Sequence, residues 1–445
     1  MKILFTFLLM ILFFLCLGTQ ISAETTAYIP SLEGATDGNV TKVLTMGETF
    51  SGVELAGEPY GAAVTPQGDY VIITRSGDDS VTIIPSGSFS SPSFHVSKAV
   101  GDEPRGVAVE PEGKYAYVAN FNDDTVSKID IDSAEVVDPP IDVGNGPLGV
   151  AAAYDQEHDT PLVYVTNNLD DSLWVIGDDD QTDDYDISCN EPSGVAVTPN
   201  GAALYVACTG DDTVKVVRTS DITVLKTIAV ESQPWGVAVG SDGEYVFVTN
   251  SADDTVSVID TSSKTVVDTI DVGQNPMGIA APRNGDFAYA VNQVGNSIHR
   301  IDISSEAPFS ATELGSNRIN TAVSIGAFIG GPPPSSVPSG LEAEVLSDSE
   351  IELTWNDNSS DELGFKIERR EDSEGAFVQV AKVDDDTESY TDDELEGGTT
   401  YHYRIRAYNE AADSDASSSV EATTTDEDFS WCFVGTIYVY DSSCE

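Results

Sequence analysis

Apolar and polar positions repeat along this chain with a regular spacing between Pro59 and Gly278. Each copy reads Pro-x-Gly, a short apolar strand, a turn, an aromatic strand and an acidic loop; a clear example is PRGVAVEPEGKYAYVANFNDDTVSKID, which starts at Pro104. The period is 42 to 45 residues, because the copies begin at Pro59, Pro104, Pro147, Pro192, Pro234 and Pro276. In the Pro104 copy the alternation predicts four strands, at Gly106–Val109, Tyr115–Ala119, Thr125–Asp130 and Val136–Val143.

Four short strands in one such period are typical of a β-propeller blade. A single blade cannot bury its apolar faces, so the repeats must pack against each other. Three segments near the N-terminus match the second, third and fourth strands of a repeat, at Ala27–Ile29, Asn39–Leu44 and Val53–Leu55, and Arg318–Ile325 matches a lone first strand. We therefore predict an all-β fold with a seven-bladed propeller, whose last blade is closed by N- and C-terminal strands. Six blades with extra strands at either end are the alternative.

The remaining segments predict an exported protein with a second domain. Residues 1–23 combine Lys2, an apolar run and a small-residue ending, as a signal peptide does. The propeller spans 24–331, a Pro/Ser linker 332–337, and 338–425 alternates like an immunoglobulin-like β-sandwich. An acidic tail with two cysteines occupies 426–445. We expect a secreted, periplasmic or cell-surface location with no membrane span after signal cleavage.

The strongly acidic composition of the chain excludes some classes of binding partner. The chain has 76 acidic and 20 basic residues, and its net charge is -56. Nucleic acid and anionic lipid attract basic surfaces, so neither is expected as a partner. The acidity indicates adaptation to salt or simple solvation, and the alternative is selective binding of Ca²⁺.

The repeats resemble the YVTN family of β-propellers in their second strands. These read Tyr117-Val118-Ala119-Asn120, Tyr164-Val165-Thr166-Asn167, Tyr205-Val206-Ala207-Cys208 and Phe247-Val248-Thr249-Asn250. That family includes surface-layer and exported proteins, and related propellers include lactonases. The resemblance implies a propeller that binds a partner or, less directly, a hydrolase.

The second domain is similar to a fibronectin type III domain. The residues that carry this similarity are Leu353-Thr354-Trp355, Tyr390, Leu395 and the strand from Thr400 to Asn409. The resemblance implies that Trp355 is the core tryptophan and that Leu395 and Tyr401 belong to the tyrosine corner. It also implies a spacer or interaction module.

An Asp-Asp pair follows the second strand of five repeats. Clustered carboxylates and carbonyls are ligands that Ca²⁺ prefers, so a metal role is a hypothesis for the second member of each pair: Asp79, Asp124, Asp171, Asp212 and Asp254. The alternative is that these side chains only bond to the backbone of turns. Apart from calcium, we predict no cofactor.

The x residue of Pro-x-Gly differs between repeats, as it does in a ligand-contacting ring and also in unconstrained loops. These residues would lie near the mouth of the channel. The ligand-binding candidates are Tyr60, Arg105, Trp235 and Met277, with Leu148 and Ser193 at the same position.

The cysteines and histidines of the chain are predicted to have structural and not metal-binding or catalytic roles. Cys432 and Cys444 are candidates for a disulfide in the tail, and Cys189 and Cys208, at the Gly and Asn positions of neighbouring repeats, for a second one. The four histidines, His95, His158, His299 and His402, show no metal-ligand spacing. No Gly-x-Ser-x-Gly sequence indicates a catalytic serine.

These observations favour an exported, non-catalytic binding or cell-surface protein. The propeller would bind a protein or glycan, and the fibronectin type III domain would serve as spacer or adhesion module. The alternatives are a propeller lactonase or hydrolase and a calcium-dependent structural protein of the cell envelope.

Overall fold

A computed structural model describes most of the chain between Thr26 and Tyr440. The described residues are 26–33, 37–44, 50–86, 91–154, 160–177, 180–240, 243–282, 287–294, 297–303, 308–316, 329–330, 336–359, 362, 364–371, 377–384, 387–393, 395–408, 413–425, 431–434 and 437–440. The signal-peptide prediction for residues 1–23 lies outside them. The chain divides into two compact units, one of which spans Glu24–Pro332 while the other begins at Pro333.

The described residues of the first unit form 28 strands. In chain order these are β1 Thr26–Glu33, β2 Asp37–Leu44, β3 Phe50–Ala56, β4 Pro59–Val64, β5 Tyr70–Arg75, β6 Ser80–Pro85, β7 Val96–Ala99, β8 Pro104–Val109, β9 Tyr115–Asn120, β10 Thr125–Asp130, β11 Glu135–Asp142, β12 Pro147–Tyr154, β13 Pro161–Asn167, β14 Ser172–Ile176, β15 Thr182–Tyr185, β16 Pro192–Val197, β17 Ala203–Cys208, β18 Thr213–Arg218, β19 Val224–Ala229, β20 Pro234–Val239, β21 Tyr245–Asn250, β22 Thr255–Asp260, β23 Thr265–Asp271, β24 Pro276–Ala280, β25 Phe287–Asn292, β26 Ser297–Asp302, β27 Ser310–Ser316 and β28 Ile329–Gly330.

The described strands of this unit pair into seven four-stranded sheets. Six of the sheets consist of consecutive strands, from β4–β7 to β24–β27, so each repeat of the sequence is one antiparallel sheet. The other sheet has the order β28-β1-β2-β3 and combines strands from both ends of the unit. The three N-terminal segments thus take the second to fourth positions of a sheet. The predicted closing strand, Arg318–Ile325, lies outside the described residues, and the strand beside β1 is β28, where Ile329 pairs with Ala27.

Apolar residues between the sheets explain how the ends of the unit are joined. One buried cluster combines Tyr28 and Ile29 of β1 with Val71 of β5 and with Phe287 and Tyr289 of β25. The sheet that contains β1 therefore packs against both the β4–β7 and the β24–β27 sheets. Burial of these side chains is the main favourable contribution to closing the ring.

The innermost strands approach each other closely at the glycine of Pro-x-Gly. A Cβ atom on Gly106 would lie 2.1 Å from the carbonyl oxygen of Leu148, and one on Gly149 would lie 2.3 Å from that of Ser193. Neither distance is compatible with a side chain. The repeated glycine is required because first strands of neighbouring sheets touch through their backbones.

The second unit is a two-sheet sandwich followed by a hairpin. Its strands are β29 Ser339–Val345, β30 Ile351–Asn356, β31 Gly364–Glu371, β32 Val378–Asp384, β33 Ser389–Asp392, β34 Thr400–Tyr408, β35 Val420–Thr423, β36 Trp431–Val434 and β37 Ile437–Tyr440. The sandwich sheets have the orders β29-β30-β33 and β32-β31-β34-β35, and β36 pairs with β37.

The core of the sandwich confirms the residue roles that the fibronectin resemblance implies. Trp355 is buried, and its ring lies edge-on to Phe365 with centroids 5.6 Å apart. Leu395 and Tyr401 belong to the same core. The hydroxyl of Tyr401 accepts a hydrogen bond of 2.9 Å from the backbone N–H of Glu396, which is the geometry of a tyrosine corner. The predicted all-β fold is confirmed. Among the residues described, no helix is long and apolar enough to span a membrane.

Candidate binding site

One residue at the start of each first strand forms what we call the axial ring. It comprises the second residues of β4, β8, β12, β16, β20 and β24: Tyr60, Arg105, Leu148, Ser193, Trp235 and Met277. The close backbone contacts described above bring these positions together around one end of the ring of sheets. Leu148 and Ser193 are fully buried, and the other four side chains are half-buried. The four predicted ligand-binding residues are therefore the accessible members of the ring.

Arg105 joins two neighbouring sheets within the ring. Its guanidinium carbon lies 3.4 Å from the centroid of Phe121 and 5.7 Å from that of Tyr60. Its Nε and Nη2 atoms donate to Oε1 of Glu103, at 3.1 and 2.5 Å. Burial raises the pKa of the Tyr60 phenol above its ordinary value, and the positive charge of Arg105 opposes this effect.

The sequence reasoning missed Phe121 and Glu103. Both occupy fixed positions in the repeat, since Phe121 follows the Asn of the YVTN strand and Glu103 precedes the Pro of Pro-x-Gly. The variation of residue type at the position after that Asn is the signal that would have found Phe121.

Trp235 lies beside a hydrogen-bonded pair of hydroxyl groups. Ser193 Oγ donates to the carbonyl oxygen of Trp235 at 3.0 Å, and Thr209 Oγ1 donates to the carbonyl oxygen of Pro234 at 2.7 Å. The indole Nε1 of Trp235 is buried and has no hydrogen-bond partner among the described residues. A buried N–H without an acceptor costs free energy, so this donor is an unsatisfied polar group in the folded protein.

A threonine on the second strand of every other sheet forms hydrogen bonds that fix the backbone of the axial ring. Thr166 Oγ1 accepts from the N–H of Gly149 at 2.9 Å and donates to the carbonyl oxygen of Ser193 at 2.6 Å. Thr74 makes the same bridge from Gly61 to Arg105. Buried hydrogen bonds from these threonine hydroxyls therefore link the backbones of neighbouring first strands, which carry the axial ring.

The second aspartate of each Asp-Asp pair binds the backbone of the next repeat. Each Oδ1 accepts from the N–H of the residue just before a Pro-x-Gly. The five bonds are Asp79 to Glu103 (3.1 Å), Asp124 to Gly146 (2.9 Å), Asp171 to Glu191 (2.8 Å), Asp212 to Gln233 (2.9 Å) and Asp254 to Asn275 (2.8 Å). Each carboxylate thus belongs to a different junction between sheets.

The first aspartate acts on the loop of its own repeat. Asp123 Oδ2 accepts from the N–H of Asp102 at 2.8 Å, and Asp170 Oδ2 accepts from that of Asn145 at 2.8 Å. Two consecutive N–H groups before Pro104 and before Pro147 are therefore held by carboxylates from two repeats. In the part of the chain that the structure covers, no three His, Cys, Asp or Glu side chains are placed to hold a metal ion. Calcium binding by Asp79, Asp124, Asp171, Asp212 and Asp254 stays a prediction.

A disulfide joins Cys189 to Cys208, whose Cα atoms are 5.1 Å apart. Both cysteines are buried. The same position elsewhere pairs a glycine with an asparagine: the N–H of Gly101 donates to Oδ1 of Asn120 at 3.2 Å. Cys444, one half of the bridge predicted with Cys432, lies outside the described residues.

His299 is bound to an asparagine within its own sheet. Nδ1 of His299 accepts a hydrogen bond from Nδ2 of Asn292 at 2.9 Å, and burial lowers the pKa of its imidazole. A neutral, half-buried ring bound to an asparagine is a structural role. His158 lies outside the described residues.

Two family models match separate parts of the chain. The model "Lactonase, 7-bladed beta-propeller" matches residues 59–225, and "Fibronectin type III domain" matches residues 336–423. These matches confirm the propeller and fibronectin resemblances.

Two solved structures are similar to the chain in fold. A functionally unknown protein from Desulfotomaculum acetoxidans is 14% identical with a TM-score of 0.55, and the alignment covers 69% of this chain and 99% of that one. A putative 6-phosphogluconolactonase from Bacteroides fragilis is 14% identical with a TM-score of 0.54 and covers 69% and 98%. At this identity the similarity concerns the fold alone.

Two curated relatives match over stretches as long as the fibronectin domain. An amylopullulanase from Thermoanaerobacter thermohydrosulfuricus is 27% identical over 85 residues, which is 19% of this chain and 6% of the relative. Exoglucanase B from Cellulomonas fimi is 36% identical over 90 residues, 20% of this chain and 8% of the relative. The chain thus spans less than a tenth of either relative. Together with the family matches and the fold, these similarities show that the chain carries a β-propeller followed in sequence by a fibronectin type III domain.

Proposed function

We propose that this protein is an exported, non-catalytic binding protein whose propeller captures a protein or glycan at the axial ring. The observation that carries the proposal is the set of half-buried side chains Tyr60, Arg105, Trp235 and Met277 at one repeated position. Trp, Tyr and Arg are the residue types that contribute most to binding energy at interfaces.

The surroundings of the axial ring support a binding role. None of its six members is acidic, although the chain contains 76 acidic residues. Glu103 and Phe121 fix the guanidinium of Arg105, and buried hydrogen bonds from Thr74 and Thr166 fix the backbone beneath it. Preorganised side chains lose little conformational entropy on binding, which favours affinity.

Export is supported by the cysteine chemistry. Disulfides such as Cys189–Cys208 are typical of oxidising compartments, and the N-terminal segment has the composition of a signal peptide. The fibronectin type III domain would act as a spacer or adhesion module.

Partner capture with ring variants tests this function. Full-length protein on beads would be offered extracts and glycan arrays, and Tyr60→Ala and Trp235→Ala should each weaken the captured interaction about 30-fold or more. Tyr185→Ala is the matched control, since Tyr185 is a half-buried tyrosine on the outer strand β15. Equal capture by the ring variants and the control would contradict the proposal.

A lactonase is the second candidate, favoured by the family match over residues 59–225. Arg105 of the ring and its ion-pair partner Glu103 are the charged groups that would act on a lactone carbonyl. The test is hydrolysis of gluconolactone-type substrates above the spontaneous rate. Activity that falls in Arg105→Ala and persists in Lys226→Ala, an exposed lysine of β19, would establish this candidate over the first.

A further inference from the structure

We propose that the fibronectin type III domain has a binding site of its own, for an acidic polysaccharide that carries carboxylate groups. The site is the outer face of the four-stranded sheet, and we call it the cationic face. It consists of five basic residues on the adjacent strands β31, β32 and β34: Lys366, Arg370, Lys382, Arg404 and Arg406. This inference goes beyond the proposed function, which concerns the axial ring.

Basic residues are concentrated on these three strands. The strands contain six of the 20 basic residues of the chain and only three of its 76 acidic residues. The sixth basic residue, Arg369, pairs with buried Asp392 at 2.8 Å and is not part of the cationic face. A local excess of positive charge in a chain of net charge -56 favours an anionic ligand at this place.

The register of the sheet places these basic side chains on one accessible surface. Lys366 lies opposite Lys382 on one side and opposite Arg406 on the other, and Glu368 lies opposite Arg404. Residues of β34 alternate between buried and partly exposed, and both arginines belong to the second set, with 29% and 25% of their side chains accessible. Lys382 is exposed. A polymer that lies on the sheet therefore reaches these charges.

Three guanidinium groups are held close together on this face. The guanidinium carbons of Arg370 and Arg404 lie 4.5 and 4.3 Å from the centroid of the Phe377 ring. Glu368 Oε2 accepts a hydrogen bond from Nε of Arg404 and another, of 3.3 Å, from Nε of Arg406. Two guanidinium groups thus share one carboxylate, so a second carboxylate bound beside them is favourable.

A pair of lysines is held beside this group in a similar way. The Nζ atoms of Lys366 and Lys382 lie 5.7 and 4.6 Å from the centroid of the Tyr408 ring, and Lys366 also pairs with Asp413 at 2.8 Å. Like charges at this separation repel each other, and an anion bound between them reduces the repulsion.

The extent of the cationic face favours a polymer with widely spaced charges. Strand spacing of about 4.8 Å and a rise of about 3.3 Å per residue give it dimensions of about 10 by 13 Å. Exposed carboxylates border it, from Glu371 at the end of β31, Asp384 at the end of β32 and Glu421 on β35. Nucleic acid carries a phosphate about every 3.4 Å of each strand and would bring phosphates against these carboxylates. A polysaccharide with one carboxylate per sugar avoids this.

A folded protein is less suited to this face. Protein interfaces have cores that are depleted in charged residues. The outward positions in the middle of β31 and β34 contain no apolar residue, since they are Lys366, Glu368, Arg370, His402, Arg404 and Arg406.

Binding of polygalacturonate and alginate to the full chain tests the inference, with methyl-esterified polygalacturonate as the neutral comparison. Calorimetry would be done at about 0.15 M NaCl, where the acidic residues more than about 8 Å away are screened. At least one acid should bind and the ester should not. A threefold increase in salt should weaken binding about tenfold, because the contacts are ionic.

Variants of the face give opposite predictions. The double variant Arg404→Gln with Arg406→Gln should weaken binding about tenfold or more. Glu368→Gln should tighten it several-fold, because it removes the carboxylate that competes for both guanidinium groups. The control is Lys98→Gln with Lys226→Gln, which changes the net charge equally on the outer strands β7 and β19 of the propeller. Melting temperature verifies that each variant is folded.

Several results would overturn the inference: no binding of either acid, equal binding of the ester, unchanged affinity in the double variant or weaker binding by Glu368→Gln. Equally tight binding of a DNA oligonucleotide or of polyglutamate would also do so, because it would show attraction to any polyanion. Tyr60→Ala and Trp235→Ala should leave polygalacturonate binding unchanged, so this test is independent of the proposed function at the axial ring.

Discussion

Aspartate at the end of the second strand has a defined physical role in this protein. Asp124 has φ = 56°, a left-handed conformation that Asp and Asn adopt more readily than other side chains with a Cβ atom. From this conformation its carboxylate reaches the N–H of Gly146 in the next repeat. The Asp-Asp pairs are thus connectors between sheets, which is the turn-type bonding that the sequence left as the alternative to calcium.

Replacing Asp124 should show this role directly. Asp124→Ala should lower the free energy of unfolding by about 2 kcal/mol, because it removes a charge-assisted hydrogen bond and puts alanine at a positive φ. Asp124→Asn keeps both an acceptor and the conformational tolerance, so it should cost less than half as much. Urea unfolding measures both, with Asp142→Ala, an exposed aspartate of β11, as the control. Equal costs for Ala and Asn would contradict the assignment.

One member of these pairs predicts an acid-sensitive contribution to stability. The N–H of Ser232 donates to Asp253 Oδ2 at 2.6 Å and holds the pKa of that carboxyl below its ordinary value of 3.8. A depressed pKa in the folded state stabilises the protein above the unfolded-state pKa, and this stability is lost as the pH falls through the folded-state value.

The difference in unfolding free energy between wild type and Asp253→Asn should therefore be constant from pH 7 to about pH 5 and shrink below the ordinary Asp range. Urea titrations at several pH values measure it. A difference that grows on acidification would show that the bond to Ser232 does not stabilise the charged form.

At the scale of the element, the last residue of the second strand contacts the connection that precedes its own sheet in several of the repeats. A Cβ on Gly101 would lie 2.6 Å from Cγ of Asn120, and one on Gly273 would lie 2.7 Å from Nδ2 of Asn292. Cys189 and Cys208 occupy the equivalent positions and form a covalent bond there. One sheet thus uses a disulfide where others use the contact between a glycine and an asparagine.

This equivalence predicts a rescue. Cys189→Ser with Cys208→Ser should lower stability by about 3 kcal/mol, the loop-closure contribution expected for a bridge of this separation. Cys189→Gly with Cys208→Asn should recover about 1 kcal/mol, because it recreates the hydrogen bond seen between Gly101 and Asn120. Thermal unfolding with and without reductant compares them. If the Gly/Asn pair is no more stable than the Ser/Ser pair, the two arrangements are not equivalent.

At the scale of the molecule, the first sheet joins both ends of the propeller unit. It pairs Thr26 with Gly330 and buries Tyr28 and Ile29 against residues of β5 and β25. Without it, apolar side chains such as Phe287, which is 2% exposed, would face water. Ring closure is therefore a cooperative property of the whole unit.

A truncation that begins at Gly57 should destabilise the propeller severely. It removes β1, β2 and β3, and we expect a Tm lower by about 10 °C or more, with loss of a sharp transition. A second truncation that ends at Pro332, the last residue of the propeller unit, leaves all seven sheets and is the control. An unchanged propeller transition in the first truncation would show that the ring does not depend on this sheet.

The sequence predicted the architecture better than the site. The recurrence of glycines such as Gly106 every 42 to 45 residues predicted the propeller. The alternation of apolar and polar residues in the strand that contains Trp355 supported the fibronectin type III prediction. The x positions of the axial ring were also predicted from their place in the repeat. Phe121 and Glu103 were not, since their contacts with Arg105 depend on the packing of one loop against the next strand.

What the sequence determined by itself is therefore the set of repeated strands, the glycines and aspartates between them and the second, sandwich domain. Local periodicity and turn chemistry are sufficient for these features. Only the tertiary structure decided that Ile329 pairs beside Ala27, that the aspartates bind backbone N–H groups of the next repeat, and that Arg105 lies between Phe121 and Tyr60. All of these contacts except that between Arg105 and Phe121 join residues from different repeats or from opposite ends of a unit, so their geometry exists only when the sheets have assembled.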